Sequence, residues 1–231
     1  MRRGGPVASV NLSILYEDNH ILVAVKPPGL LSQADRTGDV DMLTLLREYI
    51  GEKYHKPGAV YLGLVHRLDR PVGGVMVFAR TSKAASRLSA QVREGAMEKN
   101  YRAVVCGRPP VGQITHDLIK DSRTNTTQAV PPGTPGARSA SLVCHALTER
   151  AGMTLCDIKL ETGRSHQIWA QMAAAGCPLW GDQRYNPQAR PGQWVALWAC
   201  ELSFSHPVLR ERMRFEAPLP VGEPWDLFTE V

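Results

Sequence analysis

The longest uninterrupted aliphatic run in this 231-residue chain is Ile21-Leu22-Val23-Ala24-Val25. A run of that length suits one buried strand and falls far short of the ~20 apolar residues that cross a bilayer as a helix. Strand-sized apolar pieces recur at residues 60–65, 74–79, 101–106, 140–147 and 155–160, each bounded by Gly, Pro or polar turns. Residues 13–25 read as two short strands around Glu17-Asp18-Asn19. Helical spacing is rarer. Met42, Leu45, Leu46, Tyr49 and Ile50 fall at i, i+3, i+4, i+7, i+8, with Asp39 or Asp41 as cap and Gly51 as stop. A second helix is expected from Thr81 or Ser82 to about Gly95, and a third from a Ser165 cap to Gly176. Strands dominate without a regular βαβ order, so the expected class is α+β. Residues 108–138, rich in Pro and Gly, read as an irregular surface segment between two lobes.

The opening MRRGGPVASV has two arginines but no apolar stretch behind them, which argues against a secretory signal; the cytoplasm is the expected location. Five scattered cysteines without a C-x-x-C argue against a disulfide framework and a zinc ribbon. The cations comprise 20 Arg against 7 Lys, with a net charge of +5. Arginine forks suit phosphates and stack on bases. An arginine-rich codon bias would produce the same count, so charge alone lifts a nucleic-acid partner only modestly.

Against that background the stretch LVHRLDRPVGGVMVFAR stands out, because it sets Asp69 between Arg67 and Arg70. An adjacent Arg lowers a carboxyl pKa by about 1–3 units, so Asp69 is expected to be ionised at neutral pH. Such a group suits nucleophilic or electrostatic work rather than proton donation. Taken alone, HRLDR is better read as a surface ion pair. A protein-kinase loop is excluded, since Leu68 intrudes between Arg67 and Asp69 and no D-F-G exists. His66, Asp69, His116, Asp117 and His166 lack compact metal-ligand spacing, and no G-x-S-x-G elbow is present. A second block, LETGRSHQIWAQM, places Arg164 at a strand-to-helix turn suited to an anion, either a phosphate or a carboxylate. A third, EKNYRAVVCG, puts Tyr101 on a strand, where its ring is either core or a stacking face.

Together and in order, ILYEDNHILVAVKPPGLL, LVHRLDRPVGGVMVFA, EKNYRAVVCG, LETGRSHQI, CPLWGDQRY and LSFSHPVLRERMRFEAPLP resemble the RluA-type family of pseudouridine synthases, from about Ser13 to Pro220. The resemblance implies the pseudouridine synthase catalytic fold: a central mixed, mainly antiparallel sheet flanked by helices, with a basic cleft between two lobes. It also implies isomerisation of uridine within ribosomal RNA or tRNA, without metal or cofactor, by a monomer with no membrane attachment. Breaking a glycosidic bond leaves positive charge on the sugar, which a carboxylate can stabilise or trap.

By the same resemblance, Asp69 is the catalytic residue, Tyr101 packs on the target base and handles protons, and Arg164 pairs with the catalytic carboxylate. Arg67 fills the gap left by the flipped-out uridine. His66, Arg70, His166, Gln167 and Ile168 complete the expected substrate-binding set. Residues 1–12 are expected to form a flexible extension and 13–231 the catalytic domain, with no S4-type RNA-binding domain before it. The chain departs from the family pattern at Trp169, where another Arg is usual and where Trp could stack instead. Gly73 replaces a small hydroxyl residue, and KPPGLLSQ lacks a histidine near Gln33. The alternative from another class is a non-catalytic RNA-binding or ribosome-assembly factor on the same fold; a hydrolase releasing uracil is weaker.

Overall fold

In the computed structural model of the protein, residues 12–228 are described. The aliphatic run becomes β2 (Ile21–Lys26), paired antiparallel with β1 (Ser13–Glu17) on one side and β4 (Gly73–Ala79) on the other. All seven residues of β4 are buried, and its side chains alternate between two cores. Met76 and Phe78 face Leu46 and Ile50 of α1 (Met42–Lys53), while Val75 and Val77 share a core with Leu88 of α2 (Ser82–Arg93). Cover on both faces explains why β2 and β4 read as continuous apolar runs rather than alternating ones.

The sheet continues through β10 (Leu197–Ser205), β5 (Glu98–Cys106), β9 (Met153–Leu160), β8 (Arg138–Arg150), β6 (Gly112–Asp121) and β7 (Thr126–Val130). Two strands lie off that path: β3 (Gly63–Leu64) on β4 and β11 (Arg212–Glu216) on β10. Every pairing is antiparallel except β4 with β10. The expected α+β class with a mixed, mainly antiparallel sheet is what the chain adopts. Its two halves are the arms of one continuous sheet, and α3 (Gln167–Ala174) packs on β6 and β7 of the second arm. No helix among the described residues is long and apolar enough to cross a membrane.

Several local expectations are corrected. Residues 108–138 are not irregular: they contain β6 and β7, a hairpin at the sheet edge. Only Ile114 and Leu118 of β6 are buried, and a half-solvated strand next to the sheet edge carries too few apolar residues to be seen by its pattern. Helix α1 runs through Gly51 to Lys53, started by Asp41, whose Oδ1 accepts the Thr44 N–H at 3.1 Å. The ~1 kcal/mol cost of a helical Gly is outweighed by burial of Met42, Leu46 and Ile50. The predicted strand at 60–65 shortens to β3. Strands β10 and β11 had no counterpart in the sequence reading.

The paired glycines are explained by close approach rather than by a turn. A Cβ on Gly73 would strike the Trp198 ring, and one on Gly74 (φ 127°) would strike the Ala199 backbone. These are the two register positions of the parallel β4–β10 pair. Gly73, a departure from the family pattern, therefore makes room for Trp198.

Candidate active site

Asp69 sits in the turn between β3 and β4, where its carbonyl accepts the Val72 N–H at 3.0 Å. Its two neighbours in the chain, Leu68 and Arg70, are clamped by the end of β2 and the segment that follows it. Ser32, buried, brackets Leu68: its Oγ accepts the Leu68 N–H at 3.1 Å and donates to the Leu68 carbonyl at 2.7 Å. The Arg70 carbonyl accepts from the Lys26 ammonium at 3.1 Å and from the Gly29 N–H at 2.8 Å. Lys26 is fully buried and donates also to the carbonyls of Leu30 (2.6 Å) and Pro27 (3.2 Å). Burial draws its pKa down to about 7 while the Asp69 carboxylate pulls it up. Three carbonyl acceptors select the ammonium form, since a neutral amine has fewer protons to donate.

Neither flanking arginine is paired with Asp69. Arg70 reaches away, to Asp39 at 2.7 Å and the Gly29 carbonyl at 3.0 Å. Arg67 is exposed and has no hydrogen-bond or ion-pair partner among the described residues. The carboxylate of Asp69, 38% exposed, opens instead into a cleft of about 260 Å³ that it shares with Arg67, Lys99, Tyr101, Arg164 and His166.

Among the described residues, the cation-forming side chain within ion-pair range of that carboxylate is His166, whose Nε2 lies 3.9 Å from Oδ2. Its other ring nitrogen has a partner as well. The Tyr185 hydroxyl accepts the Thr127 N–H at 2.7 Å and lies 3.1 Å from His166 Nδ1. The hydroxyl and Nδ1 share one proton between them, and the other ring nitrogen, Nε2, faces Asp69. Burial lowers the His166 pKa and Asp69 opposes that shift, so the ring is neutral at pH 7. His166 itself is left-handed (φ 48°) at the start of α3 and makes no side-chain cap; Ser165 does not cap the helix as expected.

Tyr101, on β5, is buried at the cleft wall. Burial first, then the Asp69 charge, raise its pKa and keep the phenol protonated. Lys99, two residues earlier on β5, extends into the same cleft, its Nζ beside Gly163, and has no hydrogen-bond or ion-pair partner among the described residues. Burial lowers its pKa. His66 lies beneath as a neutral imidazole: burial drops its pKa to about 3, and its Nε2 accepts the Val77 N–H at 3.1 Å.

The TGR turn contributes differently from what the sequence suggested. Arg164 lines the cleft, but its Nε donates to the Ser139 carbonyl at 3.1 Å, and no ion pair joins it to Asp69 among the described residues. Gln167 holds the turn, since its Oε1 accepts from Thr162 Oγ1 (2.8 Å) and the Arg164 N–H (2.9 Å) while its Nε2 donates to the Ser141 carbonyl (3.0 Å). Ile168 is core lining the cleft. Trp169 is buried and stacks on His166 with ring centroids 4.8 Å apart, so its face is given to that ring rather than to a base. His116 and Asp117 lie on β6, and no group of three His, Cys, Asp or Glu side chains gathers among the described residues.

Sequence reasoning thus missed Lys26, Ser32, Lys99 and Tyr185. All four lie within the blocks KPPGLLSQ, EKNYRAVVCG and CPLWGDQRY. A cation inside an apolar run followed by Pro-Pro was the available signal for Lys26.

Comparison with known proteins bears on the family. The family model described as RNA pseudouridylate synthase matches residues 20–174, which include Asp69, Lys99, Tyr101 and His166. The chain is 30% identical over 224 residues to ribosomal large subunit pseudouridine synthase D of Zymomonas mobilis, covering 91% of this chain and 70% of that protein. It is 35% identical over 221 residues to the uncharacterized RNA pseudouridine synthase YjbO of Bacillus subtilis, covering 91% and 74%. The fold recurs in human RNA pseudouridylate synthase domain containing 4, with a TM-score of 0.75 at 21% identity over 90% of this chain and 88% of that one. Human RNA pseudouridylate synthase domain containing 1 gives 0.70 at 25% identity over 95% and 87%.

Proposed function

The chain belongs to the RNA pseudouridylate synthase family, and we propose that within it Asp69 is the residue on which the reaction turns. The reaction is an isomerisation that converts uridine in RNA to pseudouridine. The C1′–N1 bond breaks, the uracil turns, and C5 takes the place of N1 on the sugar. One proton leaves C5 and one is gained at N1, so nothing is consumed.

The observation that carries the assignment is that neither Arg67 nor Arg70 neutralises Asp69. A carboxylate set between two clamped neighbours is pre-organised to meet positive charge developing at C1′. Heterolysis places the opposite charge on the detached uracil. Lys99, unpaired in the same cleft, supplies the cation that balances it. Tyr101, kept protonated, provides a flat ring beside the base and a hydroxyl that can donate. His166 faces Asp69 with its Nε2 3.9 Å from Oδ2, close enough to help fix the carboxylate's position. Arg164 and Arg67 stand at the exposed rim, placed to meet phosphates of the flipped strand.

Several relatives are named as ribosomal large subunit pseudouridine synthases, which supports large-subunit ribosomal RNA as the substrate. The test is tritium release from RNA labelled at uridine C5, with chemical mapping of the product. Asp69→Ala should leave a folded protein that releases no tritium, and retained turnover would overturn the assignment. Free uracil in the same reaction would instead indicate a hydrolase.

A further inference from the structure

A second cleft of about 670 Å³ adjoins the first and shares Asp69, His166 and Trp169 with it. Its far wall is formed by Trp194, which is 57% exposed although the backbone under it is tightly held. Ala196 N–H bonds the Trp180 carbonyl at 2.9 Å, Val195 is buried, and Gly181 leaves room for the Trp194 carbonyl where any side chain would collide. The indole edge lies over Gly29, where an added Cβ would come within 2.8 Å of its Cη2. Gly29 is the residue that clasps Arg70, next to Asp69. Arg184 lines the same cleft, tethered to the Asn125 carbonyl at 2.7 Å by one of its N–H groups.

We propose that Trp194 is a stacking subsite for the unpaired nucleotide adjoining the target uridine, with Arg184 on its phosphate. The proposal rests on the reading of Asp69 above. A uridine delivered to Asp69 remains joined to its neighbours through phosphodiesters, so one neighbour must cross the protein surface within a nucleotide's reach of that carboxylate. The second cleft is the space continuous with it. An indole fixed by its own backbone binds a base with little loss of side-chain freedom, and stacking tolerates any base. Trp169 cannot take this part, because His166 covers its face.

The experiment uses total RNA from cells lacking the gene, measuring tritium release and filter-bound RNA at several salt concentrations. Trp194→Ala should raise KM and the RNA Kd by between about fivefold and a hundredfold. Its effect on kcat should be smaller, and the slope of log Kd against log salt should be unchanged. Trp194→Phe should recover most of the affinity. Arg184→Ala should instead flatten the salt slope by about one. Unchanged KM and Kd in Trp194→Ala, with the wild type turning over, would overturn the subsite while leaving the function intact. A loss accompanied by a flatter salt slope would overturn it as well, because stacking releases no counterions. If the wild type forms no pseudouridine, the functional reading fails, and the Kd ratio of Trp194→Ala to wild type still decides whether Trp194 holds RNA.

Discussion

The two walls of the cleft are built on opposite plans. On the Asp69 wall, β4 is wholly buried, and the peptides on both sides of the carboxylate are fastened by Lys26, Gly29 and Ser32. Across the cleft, Arg164 and Arg184 are exposed and their side chains hydrogen-bond only to backbone carbonyls, while β6 and β7, under α3, form a half-solvated hairpin at the sheet edge. The difference separates two requirements. A group that must meet charge developing at one atom benefits from being fixed before substrate arrives. Groups that grip a variable, solvated polyanion do not need that precision, and the guanidinium can follow the phosphate. His166 joins the two sides, because its Nε2 faces Asp69 and its Nδ1 lies against the Tyr185 hydroxyl, which accepts the N–H of the hairpin residue Thr127.

Removing the fixed charge breaks the comparison outright. Asp69→Ala should abolish tritium release while RNA retention stays within a few-fold of wild type, since phosphate contacts dominate affinity. Next in size is the cation that faces it. Lys99→Met should lower kcat by about a hundredfold or more, in the range seen when one preorganised electrostatic donor is lost. RNA affinity should change little, because Lys99 is turned into the cleft. A loss confined to Kd would show instead that Lys99 binds phosphate. Ser32→Ala tests the clamp without touching the cleft's charges. It leaves the buried Leu68 N–H without its partner, so stability should fall by about 1–3 kcal/mol in denaturant melts. Turnover should fall about tenfold as Asp69 loses its fixed position. A Ser32→Ala protein that is destabilised but fully active would show that the clamp serves the fold alone.

The same contrast governs what the sequence could reveal. The Asp69 wall was legible because covered strands and helix faces leave strong apolar patterns: β2, β4, α1 and α2 were all anticipated within a few residues. The edge hairpin was read as loop, because polar alternation between Pro-Gly turns carries no such signal. At the site, Asp69 and Tyr101 were found through the resemblance, not through their own chemistry. HRLDR alone suggested ion pairs that the fold does not make, since Arg70 turns to Asp39, a contact 31 residues distant in sequence. Arg164 was expected on Asp69 and lies on Ser139, because which anion a guanidinium meets is decided by tertiary approach. Lys26 and Ser32 act through backbone groups of another segment, and no spacing rule encodes such contacts.

The smallest effect is expected where the walls meet, and there it is a shift rather than a loss. The Tyr185 hydroxyl lies 3.1 Å from His166 Nδ1, and it can donate to that nitrogen only while the ring is neutral. Burial already holds the His166 pKa below its ordinary value near 6.5. The unfolded chain therefore binds this proton more readily than the folded one. The resulting stability is complete above about pH 6.5 and is lost as pH falls through the lowered folded pKa. Activity should show an acid limb in the same window, as protonation of His166 makes both ring nitrogens donors and Nδ1 can no longer accept from Tyr185. Tyr185→Phe removes the donor that favours the neutral ring, so the His166 pKa rises and the acid limb of kcat moves to higher pH. At pH 8, where the ring is neutral in both proteins, the variant should retain turnover within a few-fold of wild type. An acid limb that stays in place, or moves to lower pH, would mean that the hairpin does not set the protonation of the group facing Asp69. The two walls would then be joined by packing alone.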